Sequence, residues 1–476
     1  MDIEKTPLFQ EIKQIIDEGP KPVNYFYKFK IHAGDKEFET IKVVDLDFKK
    51  DYHNGYADEI TVKAVIPLGL WAKVIYPVLH ILDITVIKTP IKEVSDSTQP
   101  DEDIVAERFT AVPIGDYPVV SGKNIDNMSI QALDLQNIFT IEFQLIDKSI
   151  EKLRMVTFGG IFRRATPEDV IKGVLAKESG KIKTINGAAI KTVDMVPANN
   201  EEKREHFLIP HGTRIIDIPK YVQERCGGVY TCGINCYYQS KGWFVYPLYN
   251  VQRYNQAPKK MTIMKVPKQR YTGIERTYRE DGNILYVIGT SDSNFDDSSY
   301  VNTLNQGDGL RFADSRRFLR DIVEKKDNKA IIERDKVNHE FVFSKKSDRP
   351  DNKRNQNVHL SSENINSNPF MQWSKLAYTN GSNYEFDWEN SDPNILIPGM
   401  MVRILYMNKL EMKELNGVLL LAHNSVQLRG SGLTATRHIT NTKLIIFANS
   451  IIKQDNEPQD ESDEAAINNW LDYEST

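Results

Sequence analysis

At 476 residues the chain is too long for one ordinary core, and its 40% apolar content supports several globular units. A formal net charge of −5 is small for that length, which excludes both a nucleic-acid binder acting by field strength and a strongly acidic decoy. Three cysteines exclude a disulfide framework, which is dense and usually even-numbered. The N-terminus lacks the basic start and apolar run of a signal peptide, and no window reaches the roughly 18 apolar residues of a membrane span, so a soluble protein without membrane insertion is expected.

Residues 7–18 place Leu8, Ile12, Ile15 and Ile16 on one helical face, with Pro7 near the start and Gly19 at the stop. This N-terminal amphipathic helix (1–19) needs burial by its own chain or a neighbour. From Tyr25 the pattern becomes short alternating runs rich in Thr, Val, Ile and aromatics, which predicts a first antiparallel β-barrel domain over 20–136, with the acidic stretch 94–103 as a surface loop. Alternation over Phe139, Ile141, Phe143 and Leu145 opens a second barrel, assigned to 137–165 and 256–300. Between its two parts lies a helical and hairpin insertion, 166–255. Thr166 followed by Pro167 reads as a hydroxyl N-cap ahead of proline at the first helical position, and Val170, Ile171, Val174 and Leu175 form the apolar stripe. A second short helix is expected over about 217–226, capped by Asp217 and stopped by Gly227.

A polar and basic arm covers 301–383. Within it, 316–354 holds thirteen Lys or Arg against eight Asp or Glu, which reads as a solvated face or as an inter-subunit contact. Three strong strand candidates make a C-terminal β unit over 384–453, and Gly430-Ser431-Gly432 reads as a turn within it. The acidic tail 454–476 carries eight Asp or Glu and no basic residue, and its Trp470 is a candidate anchor for docking to a partner. The fold class is therefore mainly β with α insertions: two tandem β-barrel-like domains, a helical insertion and a C-terminal β unit.

Chemistry concentrates in 211–254. Cys226, Cys232 and Cys236 have a C-x5-C-x3-C spacing, and His206 and His211 lie upstream. A structural zinc on the three sulfurs and His211 is conceivable; against it, the tight C-x2-C knuckle is missing, and the competing reading is three small buried residues beside glycines. No phosphate loop, zincin or nucleophile-elbow motif occurs, so neither a cofactor nor a catalytic residue is assigned and no enzyme is expected. Tyr237, Tyr238, Trp243, Tyr246, Tyr249 and Tyr254 flank a turn at Ser240-Lys241-Gly242. In a two-stranded hairpin only alternate residues face inward, so part of this cluster is expected at a protein interface.

The stretches 138–179 (IFTIEFQLIDKSIEKLRMVTFGGIFRRATPEDVIKGVLAKES), 212–230 (GTRIIDIPKYVQERCGGVY) and 243–255 (WFVYPLYNVQRYN) resemble the baseplate hub proteins of contractile-tailed bacteriophages, the T-even-type central hub family, and related hubs of injection systems. The resemblance spans roughly residues 20–300. It implies a structural virion protein of the tail, assembled in the host cytoplasm: a homotrimer whose six barrels adapt a six-fold tail tube to a three-fold central spike. Its partners would be the tail tube protein, the central spike protein and other baseplate proteins, with no specific nucleic acid beyond DNA passing through the lumen. Two competing readings are a tail-associated peptidoglycan hydrolase, which needs an acidic pair or a metal site, and a receptor-binding virion protein.

Overall fold

The computed structural model describes residues 7–20, 25–91, 105–116, 138–188, 192–268, 274–291, 309–314, 341–344, 356–360, 381–408, 411–429 and 437–449, together with Phe370, Ser374, Ala377 and Tyr378. The 94–103 loop, most of the basic arm, the Gly430–Gly432 turn and the acidic tail with Trp470 lie outside these residues. Among the described residues no helix is long and apolar enough to cross a membrane.

The first strands are β1 (Tyr25–Ala33), β2 (Lys36–Glu39), β3 (Lys42–Asp51), β4 (Glu59–Pro67), β5 (Leu82–Pro90), β6 (Val105–Ile114) and β7 (Ile138–Asp147). The insertion follows. It holds helices Lys148–Leu153, Pro167–Ser179 and Ile218–Arg225 and strands β8 (Thr157–Ala165), β9 (Lys183–Thr184), β10 (Gly187–Ala188), β11 (Thr192–Met195), β12 (Arg204–Arg214), β13 (Ile234–Gln239) and β14 (Gly242–Pro247). The chain then returns through β15 (Lys260–Val266), β16 (Tyr278–Asp281) and β17 (Ile284–Thr290). A separate three-stranded sheet is formed by β18 (Gly309–Asp314), β19 (Phe341–Ser344) and β20 (Gln356–Leu360). The last strands are β21 (Ser382–Trp388), β22 (Met401–Asn408), β23 (Glu411–Arg429) and β24 (Arg437–Asn449).

Among the described residues fourteen strands make one sheet that closes on itself twice. The first ring runs β1-β5-β6-β7-β4-β3-β23-β24 and shuts through the pair Tyr25↔His438. The second runs β15-β22-β23-β24-β21-β17, with β15 and β17 pairing in parallel to shut it. The hairpin β23–β24 therefore belongs to both. One edge of β23 pairs with β22 over 411–418 and then with β3 over 421–427. The register against β24 shifts between Leu419 and Leu421, and the side-chain parity changes there. Leu415 and Leu419 point into the second core, whereas beyond the shift Ala422, Asn424 and Val426 are the buried positions, and Val426 joins the first core. One extra residue at a bulge reverses which alternate positions face inward, so a single strand can fill two barrels.

This topology corrects three boundaries. Strand 138–147 pairs with β4 and β6 and so completes the first barrel, not the second. Among the described residues Thr157–Ala165 pairs only with β12, placing the start of the insertion at Lys148 rather than 166. Segment 384–453 is no separate unit, because its strands close both rings. The reason is common to all three: period-two alternation shows that a strand has a buried face but not which core that face meets.

Local signals behave as elementary chemistry requires. Thr166 Oγ1 accepts from the Asp169 amide at 3.1 Å, and the Asp169 carboxylate accepts from the Thr166 amide at 3.1 Å, a reciprocal capping box. Asp217 does not cap the next helix; its carboxylate accepts from Arg214 at 2.6 Å instead. The N-terminal helix is buried by its own chain: Leu8, Ile12 and Ile15 pack on Met264, Val266 and Ile288 of the second barrel.

Two stability outcomes follow from this frame. Leu444 is fully buried on the shared hairpin, so Leu444→Ala is expected to cost about 2–5 kcal/mol and to lower one calorimetric transition common to both barrels. Two separated transitions would contradict a shared hairpin that couples the two cores. Thr166→Ala is expected to cost about 1 kcal/mol in denaturant titration through loss of the cap.

Candidate functional site

The hairpin β13–β14 lies between the insertion and both barrels. Its turn has only two residues, Ser240 and Lys241, with φ of 51° and 63°. Both are left-handed, the geometry that matches the twist of a tight hairpin but costs a residue with a Cβ about 1–2 kcal/mol. Packing on both faces holds it. Cys236, Tyr238, Trp243 and Val245 point into the insertion's core, where Trp243 Nε1 donates to Ser179 Oγ at 2.9 Å. Tyr237, Tyr246 and the half-buried Phe244 alternate with them and enter the core of the second barrel. Gly399, at φ 68°, lies against the Tyr246 ring, and a Cβ there would come within 2.5 Å of Cγ.

The expectation that these aromatics form a protein interface is therefore corrected. Tyr237, Tyr238, Trp243, Tyr246 and Tyr254 are all buried within the chain itself. The premise of one inward face fails because a hairpin sandwiched between two cores has two. Tyr249 is half-buried: its ring lies tilted against that of Phe447 at 4.9 Å between centroids, and its hydroxyl shares a 2.6 Å hydrogen bond with His53. Tyr254 lies outside the hairpin, where its hydroxyl bonds Thr262 at 2.7 Å and the Arg403 guanidinium sits 4.1 Å above its ring.

The cysteines are not brought together with His211 as a metal site. Among the described residues no group of three or more His, Cys, Asp or Glu is arranged to hold an ion. Cys226 and Cys236 are buried in the insertion's apolar core, and Cys232 is half-buried beside Thr231. Burial pushes all three thiols above the usual range, which keeps them protonated and poor nucleophiles. His211 lies in β12, exposed, with its backbone against Gly159.

The same hairpin clasps the β3–β4 connection. The Tyr238 amide donates to the Tyr56 carbonyl at 2.8 Å, and Asn235 Nδ2 donates to the Tyr52 carbonyl at 2.7 Å. Tyr246 Oη donates to that carbonyl at 2.8 Å, and Tyr237 Oη donates to Asp58 Oδ1 at 2.9 Å. These bonds place the Ser240–Lys241 turn beside one mouth of the first barrel.

At that mouth the inward-facing positions change character. Deeper in the barrel they are Phe29, Val62, Ile84, Phe109 and Phe143. One step outward, in sheet order, they are Lys88, Glu107, Asp147, Asp58, Lys50 and Asn424. This polar ring lines a cavity of about 580 Å³. Asp147 is committed to the next helix, accepting from the Ser149 and Ile150 amides at 2.7 and 3.1 Å. Lys50 is buried and donates to the Pro393 carbonyl at 3.0 Å. Lys88 Nζ lies 3.7 Å above the Tyr25 ring, and burial lowers its ammonium pKa. Desolvation raises the Asp58 carboxyl, opposed by Lys50 and the Tyr237 hydroxyl and reinforced by Asp147. It raises Glu107 as well, helped by Asp147. Parity along each strand, counted outward from the apolar positions, is the signal in the sequence that marks this ring; it emerges only once the strand order is known.

No family model matches the chain, and no curated protein matches it in sequence. Among solved structures it is similar to a tail protein from Neisseria meningitidis MC58, at 12% identity over 89% of this chain and 96% of that one, with a TM-score of 0.45. It is also similar to the 43 kDa tail protein of prophage MuSo2 from Shewanella oneidensis, at 10% identity over 88% and 96% of the two chains, with a TM-score of 0.41. A third similar structure is a Francisella PdpA–VgrG complex, at 10% identity over 94% of this chain and 62% of that one, with a TM-score of 0.41.

Because the folded state favours the protonated form of Asp58, the stability this group contributes is complete below the unfolded aspartate value of about 3.9 and falls as pH rises through the raised folded value. Asp58→Asn removes that loss. Its stability relative to the parent is expected to grow as pH rises above about 4 in urea titrations, and a difference independent of pH would contradict the assignment.

Proposed function

We propose that this chain is a structural virion protein, the central hub of a phage tail baseplate, acting as a homotrimer that adapts a six-fold tail tube to a three-fold central spike. The observation that carries the reading is the pair of closed β rings fused on one hairpin. Three such chains would supply six barrels, and a heterologous contact repeated by a three-fold rotation closes them into a ring. The hub resemblance in 138–179, 212–230 and 243–255 falls on the segments that link the first barrel, the insertion and the second barrel, so the residues and the topology favour the same reading.

Surface for lateral contact is present on the insertion. The β8–β12 ribbon pairs with no other described strand, and its cross-strand partners Ile161 and Leu208 are 64% and 59% exposed. Apolar side chains opposite one another on an open ribbon favour association with a second surface. Partners at the two faces of the ring would be the tail tube protein and the central spike protein, and the acidic tail with Trp470 is assigned to docking on a neighbouring baseplate protein. In this reading the chain works by geometry, without a cofactor or a reaction.

Native mass spectrometry of the full chain tests the assembly. The expected result is a species of three times the 54.6 kDa chain mass that grows with concentration. A chain that stays monomeric up to its solubility limit, or that forms only dimers, would overturn the trimeric ring.

A further inference from the structure

We propose that the mouth of the first barrel is a binding site for a neutral, hydroxyl-rich ligand of mono- or disaccharide size. A barrel mouth is a common place for a small-molecule site, and the cavity of about 580 Å³ falls within the usual range of about 300–1,000 Å³. A built site differs from a packing defect in its lining. This one alternates hydrogen-bonding groups with apolar surface: Phe48, Val86 and Phe109 stand beside the polar ring.

The independent pointer to a ligand is Asn424. It is fully buried, it lines the cavity, and its Oδ1 accepts from Thr442 Oγ1 at 2.8 Å, while its Nδ2 has no partner among the described residues. A buried amide donor left unpaired costs about 1–3 kcal/mol, so an acceptor oxygen placed beside Nδ2 stabilises the site. A hydroxyl oxygen supplies that acceptor.

Charge balance sets the class. Four cationic side chains, Lys50, Lys88, Arg154 and Lys241, line the cavity against four carboxyl groups, Asp58, Glu59, Glu107 and Asp147. An anion or a cation gains nothing from the sum of these charges. A neutral ligand that both donates and accepts in several directions can use both kinds. Its hydroxyl protons go to the Asp58 and Glu107 oxygens, and its oxygens accept from Asn424 and from the ammonium groups. Sugars combine such hydroxyls with apolar C–H faces that fit against Phe48 and Val86.

The site is distinct from the lateral ring contacts and stands whether or not the chain forms a trimer. Saturation-transfer NMR on the full chain tests it, with glucose, cellobiose, maltose and N,N′-diacetylchitobiose as probes at up to about 10 mM. At least one probe is expected to receive magnetisation from the protein. Asn424→Leu, which keeps the branched shape and removes the amide, is expected to weaken its Kd at least tenfold. Glu107→Gln, at the exposed rim, reads the same site without touching the core and is expected to weaken binding several-fold. Silence from all four probes would leave a cavity filled by water alone and overturn the proposal. Transfer that survives both substitutions would place binding elsewhere and overturn it equally.

Discussion

The rest of the structure depends on the backbone pairing of β23 with β24. Thirteen cross-strand residue pairs run from Asn416↔Asn449 to Arg429↔Arg437, and both rings use them as wall. Leu419, Ala422, Leu444 and Ile446 are fully buried in the second core, and Val426 is buried in the first. Loss of this hairpin would open the two barrels together, since among the described strands neither ring has another route to closure. The bulge near Leu420 is what permits the sharing. Without the extra residue, the parity that fills the second barrel with Leu415 and Leu419 would point Ala422 away from that core and Val426 away from the first.

A second hairpin, β13–β14, performs the same task on a smaller scale. Alternate residues of one short ribbon fill the insertion's core and the second barrel's core, while its main chain and hydroxyls hold the β3–β4 connection. Three bodies meet at this ribbon. Its density of tyrosine and tryptophan is explained by that position: each ring brings a large apolar area to one core, and Tyr237 and Tyr246 also carry a hydroxyl to a polar neighbour.

Much of this was legible in the sequence, and the limits have a physical cause. The Thr166-Pro167 start, the Leu8–Ile15 stripe and the strands at 260–266, 284–290 and 401–449 are local signals, written in nearest-neighbour chemistry, and the structure contains each of them. Partner choice between strands is not local. Ile138–Asp147 alternates as cleanly for one barrel as for the other, and only its pairing with β4 and β6 decides between them. The mouth of the first barrel was hidden for the same reason: Lys50, Asp58, Lys88, Glu107, Asp147 and Asn424 are spread over 375 positions of sequence, from 50 to 424, and become one ring only through the strand order. The aromatic hairpin reads as an interface in the sequence because a ribbon is usually covered on one face, whereas here cores lie on both.

The shared hairpin is the common structural element of two barrels, and native-state hydrogen exchange read residue by residue tests that directly. The amides of Leu419, Ala422, Leu444 and Ile446 should be among the slowest to exchange. Core amides of both rings, such as those of Phe143 and Ile263, should open with the same free energy as the hairpin, because global unfolding is their shared route. Exchange of one ring at a clearly lower free energy, with the hairpin still protected, would show that the barrels are independent units and contradict the claim.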